Sequence, residues 1–170
     1  GVYCSPAIAS NGVIYVGSYD GFLYAFNADG STNQVFATDG QVLSAPTIGP
    51  DNKIYVGSGY RFYCFNPIGT TKWSHPTASP IYGSPAIASD GTIYFGDMDG
   101  KLYALSGADG TKLWEFATSG AIQSAPLIAG DGTILVGSSD GKLYSVFPTG
   151  VKRWTFTAGG MARFVIPAAI

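Results

Sequence analysis

Short runs of apolar and β-branched residues alternate with turn residues along the whole chain. The stretch from 84 to 116 contains four such runs, Ser84–Ala88, Thr92–Gly96, Lys101–Leu105 and Thr111–Phe116. A glycine-containing turn, often Asp-Gly, separates each run from the next. β-Branched and aromatic runs between such turns favour strands, and Asp-Gly between two of them is a strong hairpin signal. The pattern therefore predicts four antiparallel strands in this stretch and no helix.

The same pattern recurs along the chain. Each copy opens with a proline followed by short apolar residues, at Pro6, Pro46, Pro85 and Pro126, and Pro167 opens a fifth copy. The spacings between these prolines are 40, 39, 41 and 41 residues. Four antiparallel strands in a repeat of about forty residues make one blade of a β-propeller. We therefore predict an all-β fold, a β-propeller of four-stranded antiparallel blades with four repeats visible.

The repeat boundaries predict the domain organisation. The whole chain, 1–170, is expected to be a single propeller domain or a fragment of one. We place the blades at approximately 5–43, 44–82, 83–123 and 124–164, with 165–170 beginning a further blade. A closed ring needs one opening strand per blade, and five openings do not fit a closed ring of four complete copies. We therefore expect the chain to be part of a larger ring.

One tryptophan recurs in the fourth strand of three copies. These are Trp73, Trp114 and Trp154, and the first copy has Gln34 in that column. Each tryptophan would bury roughly 150–250 Å², so we interpret all three as structural residues that pack one blade against the next. A ring of aromatic side chains that stack on sugars is the functional alternative.

Small residues fill other columns of the aligned copies. The second strand of each copy ends in a glycine, which indicates that another backbone comes close there. Cys4 and Cys64 each fall in a column of small residues, and the two columns belong to different strands of different copies. The sequence therefore predicts two buried free thiols rather than a disulfide.

The same alignment gives structural explanations for residues that resemble catalytic or metal-binding patterns. Asp97-x-Asp99-Gly100 places two carboxylates as a calcium loop does, but the other copies show that the second aspartate is a hairpin residue. The single histidine, His75, replaces a phenylalanine in its column, so we expect it to be half-buried and hydrogen-bonded. We predict no catalytic residue, no metal site and no cofactor.

The net charge of −2 provides no attraction for nucleic acid, and no apolar run is long enough to span a membrane.

The second copy departs from the pattern at two places. Its turn after the second strand is one residue shorter and contains Tyr60 and Arg61, and its final connector carries Pro80-Ile81-Tyr82. In a four-stranded meander these two segments lie at the same end of the sheet. Loops at one end of a rigid scaffold often bind partners, and exposed Tyr and Arg are typical of interface hot spots. We therefore predict a partner-binding face at Tyr60, Arg61 and Tyr82, the alternative being simple drift of the repeat.

The segment Gly91–Ala104 resembles the repeat of the pyrroloquinoline quinone (PQQ) dehydrogenases and their cofactor-free relatives, which include an outer-membrane assembly lipoprotein. Gly110 and Trp114 keep the register of the family's tryptophan-docking stretch, but Thr111 occupies the position of its lysine, and Ser106 stands where the family usually has aspartate. The resemblance implies a propeller of seven or eight blades. It also implies a periplasmic, secreted or cell-surface location.

The resemblance supports the fold more strongly than any activity. The quinone-binding members have adjacent cysteines, and this sequence has no Cys-Cys pair. We therefore predict a non-catalytic scaffold or protein-interaction module with a protein partner, and self-association into a larger ring. Enzyme activity is left open, with its absence favoured. The alternatives are a fragment of a PQQ-dependent oxidoreductase and a carbohydrate-binding propeller.

Overall fold

A computed structural model gives the structure of the chain and describes residues 1–158. Within this range the chain folds into sixteen β-strands and contains no helix. The strands form four separate sheets of four strands each, and neighbouring strands in every sheet are consecutive in the chain. All pairs for which a register is defined are antiparallel. The predicted fold of four-stranded antiparallel blades is confirmed.

The blades follow one another in sequence order. Blade 1 contains β1 (Ala7–Ile8), β2 (Ile14–Gly17), β3 (Phe22–Phe26) and β4 (Thr32–Ala37). Blade 2 contains β5 (Thr47–Ile48), β6 (Ile54–Ser58), β7 (Arg61–Phe65) and β8 (Thr71–Pro76). Blade 3 contains β9 (Ala86–Ile87), β10 (Thr92–Gly96), β11 (Lys101–Ser106) and β12 (Lys112–Ala117). Blade 4 contains β13 (Leu127–Ile128), β14 (Ile134–Ser138), β15 (Lys142–Val146) and β16 (Lys152–Thr157). Pro167 and the predicted fifth opening lie outside the described residues.

The chain divides into two compact units, Gly1–Tyr82 and Gly83–Ile170. In the first unit the core lies between blades 1 and 2, where the rings of Phe36 and Phe65 have their centroids 5.1 Å apart. In the second unit the core lies between blades 3 and 4, and Phe116 meets Tyr144 edge-on at 5.6 Å. Each core is built from the inward-facing apolar residues of two neighbouring sheets, so the blades stabilise each other in pairs.

In blades 1 to 3, a glycine at or next to the end of the second strand lies against the connector that follows the fourth strand. A Cβ at Gly57 would collide with the side chain of Ile81, and a Cβ at Gly17 would collide with Val42. Ile81 and Val42 are fully buried. The sequence predicted another backbone at this column, but the nearest neighbour is an aliphatic side chain from the same blade. This contact fixes the connector against the end of the blade.

A β-bulge occurs at the same place in all four blades. The register between the third and fourth strands shifts after Ala25, Cys64, Ala104 and Ser145. In blade 3, Ala104 pairs with Trp114 and Leu105 with Lys112, so Leu113 is the extra residue. A bulge twists a strand locally and redirects the adjacent side chain. Here it immediately precedes the column that holds Gln34 and the three tryptophans.

Candidate interaction site

The short turn of blade 2 is a two-residue hairpin. Ser58 pairs with Arg61, and Gly59 and Tyr60 form the loop between them. Gly59 has φ of 50°, and Asn52 is the only described residue other than glycine with a positive φ. A positive φ at the first loop position alone is the pattern of a type II′ turn, which requires glycine there. The turn thus presents Tyr60 at its tip, where the ring is 62% exposed.

Backbone contacts hold this turn between two connectors. The Gly59 amide donates to the Gln41 carbonyl (N···O 3.0 Å), and the Ile81 amide donates to the Gly59 carbonyl (N···O 2.9 Å). The Ser58 hydroxyl donates to the carbonyl of Gly40 at 2.6 Å. A Cβ built on Gly40 would lie 3.1 Å from the Gly59 Cα. The two glycines therefore let the blade 1 connector lie directly against the blade 2 turn.

A cavity of about 340 Å³ opens above this contact. Its lining consists of Asp39, Gly40, Gln41, Gly59, Tyr60, Pro80 and Tyr82. Tyr82 is 41% exposed, so both tyrosines present much of their rings to solvent. The structure therefore brings Tyr60 and Tyr82, two of the three residues predicted for a partner-binding face, to one cavity. Their role in binding stays a prediction.

Arg61 stands beside the cavity and is engaged by its neighbours. Its Nε lies 2.9 Å from Oδ2 of Asp39, a residue of the cavity lining. Its Nη1 donates to the hydroxyl of Ser74 at 3.2 Å. The Asp39 amide in turn donates to the hydroxyl of Tyr63 at 3.1 Å. Arg61 thus fixes the wall of the cavity by tying the connector of blade 1 to β7.

A second cavity, of about 260 Å³, lies next to the first. Its lining consists of Tyr19, Asp20, Gly21, Thr38, Asp39, Gly40 and Gln41. The two cavities share Asp39, Gly40 and Gln41. Tyr19 and Asp20 belong to a regular turn of the first copy, so the repeat pattern did not single them out. The signal that could have found them is adjacency, since the connector of blade 1 lies between the turn of its own blade and the turn of blade 2.

The carboxylate of Asp20 is held in its charged form. Burial raises its pKa, but hydrogen bonds from the Ser18 and Tyr24 hydroxyls and the Phe22 amide outweigh this, with a contribution from the chain's amino terminus, and the net pKa is lowered. The Tyr24 hydroxyl donates to Oδ2 of Asp20 at 2.9 Å. Asp20 therefore carries a negative charge at neutral pH.

The three tryptophans lie in different surroundings. Trp73 is 9% exposed and packs against Tyr55 and Phe62, with centroid distances of 6.0 and 6.2 Å. Trp114 is half-buried, and its Nε1–H donates to the carbonyl of Pro148 in blade 4 at 2.8 Å. Trp154 is 42% exposed on the last described strand. The Trp114 contact joins blade 3 to blade 4, and the inter-blade role of the three tryptophans stays a prediction.

Both cysteines are free, as predicted. Cys64 is fully buried, and burial raises the pKa of its thiol to about 11. Cys4 is only half-buried, and its sulfur accepts a hydrogen bond from the Gly17 amide at 3.3 Å. Burial raises the pKa of Cys4 as well. Neither thiol is therefore activated for nucleophilic chemistry.

The carboxylate of Asp97 organises a turn. The residue is fully buried, and its Oδ1 accepts hydrogen bonds from the amides of Asp99 (3.1 Å) and Lys101 (2.9 Å). Its Oδ2 accepts a hydrogen bond from the hydroxyl of Tyr103 at 3.0 Å.

Across residues 1–158, no three His, Cys, Asp or Glu side chains are grouped so that they could hold a metal ion. In the same range no helix is long and apolar enough to cross a membrane.

Known proteins resemble this chain in both sequence and fold. The model of the family described as outer membrane protein assembly factor BamB matches residues 64–169. BamB from Moraxella catarrhalis superposes with a TM-score of 0.77 at 20% identity, covering 91% of this chain and 48% of that one. The computationally designed Ika8 protein superposes with a TM-score of 0.74 at 15% identity, covering 88% of this chain and 46% of that one.

The chain thus spans about half the length of each of these two structures. No curated protein matches its sequence. The family match covers well over half of the 170 residues, including the repeat that carries the sequence resemblance. The resemblance to the PQQ-like propellers is therefore confirmed, and the chain belongs to the BamB family of β-propeller proteins.

Proposed function

We propose that this chain is a non-catalytic scaffold that offers a rigid face to a protein partner. The matching family is described as an outer membrane protein assembly factor. By that likeness we assign the chain to protein assembly outside the cytoplasm, in the periplasm or at the cell surface. The face is formed by Tyr60, Arg61 and Tyr82.

The observation that carries the proposal is the shared cavity of Tyr60 and Tyr82. Both rings are exposed, yet the backbone beneath them is fixed by hydrogen bonds among the blade 2 turn and the two connectors. Tyrosine offers a large contact area at a low cost in conformational entropy, which is why it is enriched at interface hot spots. A rigid support lowers that cost further because little of the surface has to become ordered on binding.

Site-specific photo-crosslinking tests the proposal. A photoreactive phenylalanine at position 60 or 82, in the full chain expressed in its native host, should capture one defined protein. Gln123 occupies the column of Tyr82 in blade 3, so the same probe at position 123 is the matched control. The captured partner, once purified, should bind the Tyr60→Ala and Tyr82→Ala variants at least about tenfold more weakly, as expected for hot-spot tyrosines. Unchanged binding by both variants would exclude this face.

We also propose that the propeller is larger than the four described blades. In blade 3, Trp114 is bonded to blade 4 and Phe116 packs against Tyr144. The corresponding side chains of blade 4, Trp154 and Phe156, are 42% and 56% exposed. A further blade, from the same chain or from a second copy, would bury them as blade 4 buries their counterparts. Self-association into a larger ring follows from this when the 170 residues stand alone.

A further inference from the structure

The two adjoining cavities of the first unit have a composition that favours one class of ligand. We infer that they form a single groove that binds an extended peptide segment bearing arginine or lysine. This inference rests on the proposed function and names the chemistry that the partner would present. The groove is defined by the linings of both cavities, which run from Tyr19 to Tyr82 across the connector of blade 1.

The shape of the groove suits an extended chain. Asp39, Gly40 and Gln41 line both cavities, so the connector of blade 1 forms a low wall between two open depressions. Gly40 and Gly59 carry no side chains, and they leave the backbone accessible at the centre. A ligand that fills both depressions must cross this wall, as an extended segment does when side chains on either side of it occupy separate pockets.

Three tyrosines are spaced along the groove. Tyr19 lines the first depression, and Tyr60 and Tyr82 line the second. Tyr19 is 50% exposed and is supported by an edge-on contact with Tyr3, with centroids 5.9 Å apart. The face of a tyrosine ring attracts a guanidinium or ammonium group. The rings therefore provide both stacking surface and affinity for a cation.

The charged residues of the groove also favour a cationic ligand. Asp20 and Asp39 belong to its lining, and none of the described lining residues is a lysine or arginine. Arg61 pairs with Asp39 from beside the groove and offsets one of the two carboxylates. Asp20 accepts its side-chain hydrogen bonds from neutral donors, the Phe22 amide and the Tyr24 hydroxyl. The carboxylate of Asp20 thus stands beside an aromatic surface whose lining contains no lysine or arginine, which is complementary to a cationic side chain.

Peptide titration of the full chain tests the inference. The probe is the acetylated and amidated peptide Gly-Pro-Arg-Pro-Gly, whose prolines hold it extended. Its partner probe carries citrulline in place of arginine, which keeps the shape and removes the charge. The arginine peptide should bind at least about threefold more tightly, the size expected of one exposed ion pair. Amide shifts in ¹⁵N spectra should centre on Gly40, Gln41 and Gly59.

Carboxylate variants provide the decisive comparison. Asp20→Asn and Asp39→Asn should each remove the preference for arginine over citrulline. Asp131→Asn is the matched control, because Asp131 forms a comparable ion pair with Arg153 in the second unit (2.7 Å) and lies outside the groove lining. Equal binding of the two peptides, no shift with millimolar peptide, or a preference that survives both groove variants would overturn the inference. Shifts of the same amides by a neutral methyl glycoside, without arginine binding, would overturn it in favour of sugar stacking.

The outcome also separates this inference from the proposed function. If Tyr60→Ala and Tyr82→Ala weaken binding of the cross-linked partner while the arginine peptide does not bind, the face is an interface and only the assigned chemistry is wrong. If neither variant affects the partner, the proposed function itself fails. Peptide binding that depends on Asp20 and Asp39 would support the groove as a cation-selective site in either case.

Discussion

At the residue scale, a glycine at or next to the end of the second strand makes room for the connector in blades 1 to 3. In blade 3 this glycine is Gly96, and a Cβ there would collide with the side chain of Ile122 and lie 3.1 Å from its carbonyl oxygen. Ile122 is fully buried, so it has no open space to move into. From the glycine alone, the sequence predicted that another backbone comes close at this column. Only the structure identifies that neighbour as an isoleucine of the connector.

We expect Gly96→Ala to be destabilising through overpacking. Forcing a methyl group into a filled site costs about 1–3 kcal/mol of the free energy of unfolding. Urea denaturation followed by circular dichroism measures the loss. Gly130→Ala is the control, since a Cβ at Gly130 meets nothing within 4 Å. Equal stabilities of the two alanine variants would contradict the packing explanation.

At the element scale, within each of the two units the turn of the second blade is tied electrostatically to the connector of the first. In the second unit the acid lies on the turn, where Oδ2 of Asp140 accepts the Ser119 amide at 3.1 Å and the Tyr144 hydroxyl at 2.5 Å. In the first unit the acid lies on the connector as Asp39, and the turn supplies Arg61. In blade 2, therefore, the carboxylate lies on the connector and its partner lies on the turn, the reverse of the arrangement in blade 4. The turn and the connector are joined in both cases.

The tryptophan column allows a direct comparison of two blades. Trp114 donates to Pro148 and covers Gly150, whose Cβ would lie 2.9 Å from the indole. We expect Trp114→Ala to lower the free energy of unfolding by about 3–5 kcal/mol. Trp114→Phe, which removes the N–H donor but keeps a ring, should cost less. Trp154→Ala should cost less than half as much as Trp114→Ala because Trp154 is partly exposed. Urea denaturation of dilute samples measures both losses, and equal losses would contradict this expectation.

At the scale of the whole molecule, buried tyrosines in both units make stability sensitive to alkaline pH. Burial, with a hydrogen bond to the Asp39 carboxylate, raises the pKa of Tyr63 to about 12. Burial, with a hydrogen bond to Asp140, raises the pKa of Tyr144 to about 12 as well. Tyrosine in an unfolded chain ionises near a pH of about 10. The folded chain therefore holds these protons more tightly than the unfolded chain.

Stability should consequently be fully present below a pH of about 10 and fall as the pH rises towards 12. The melting temperature measured across this range checks the trend. Tyrosinate absorbance should show a higher midpoint in the folded chain than in concentrated urea. Tyr63→Phe should reduce the slope of stability against pH, and a slope that is flat in the native chain would contradict the expectation.

The exposed face of blade 4 predicts association of the 170-residue chain. Trp154 and Phe156 place two large apolar rings side by side on the last described strand, where blade 3 has covered counterparts. Light scattering should give a mass above that of a monomer, and the double variant Trp154→Glu, Phe156→Lys should shift it to the monomer. Leu113→Glu, at an exposed apolar position of β12, should leave the mass unchanged. A monomeric native chain would contradict this prediction.

The strands and blades could be predicted from the sequence because they depend on local order. Asp-Gly turns, β-branched runs and a period near forty act between residues that are close in the chain, and the observed sheets follow them. The bulge before the tryptophan column was not predicted. It depends on how two strands pair across the sheet, and an extra residue such as Leu113 looks like any other member of an alternating strand.

The sequence by itself determined the repeat, the antiparallel blades and the two places where the second copy departs from the pattern. Only the tertiary structure decided where those departures lie and what they contact. It set Tyr60 and Tyr82 around one cavity, paired Arg61 with Asp39, and added Tyr19 and Asp20 from a copy whose sequence is regular. A groove between blades is made by residues of both, so its composition emerges only when the sheets pack.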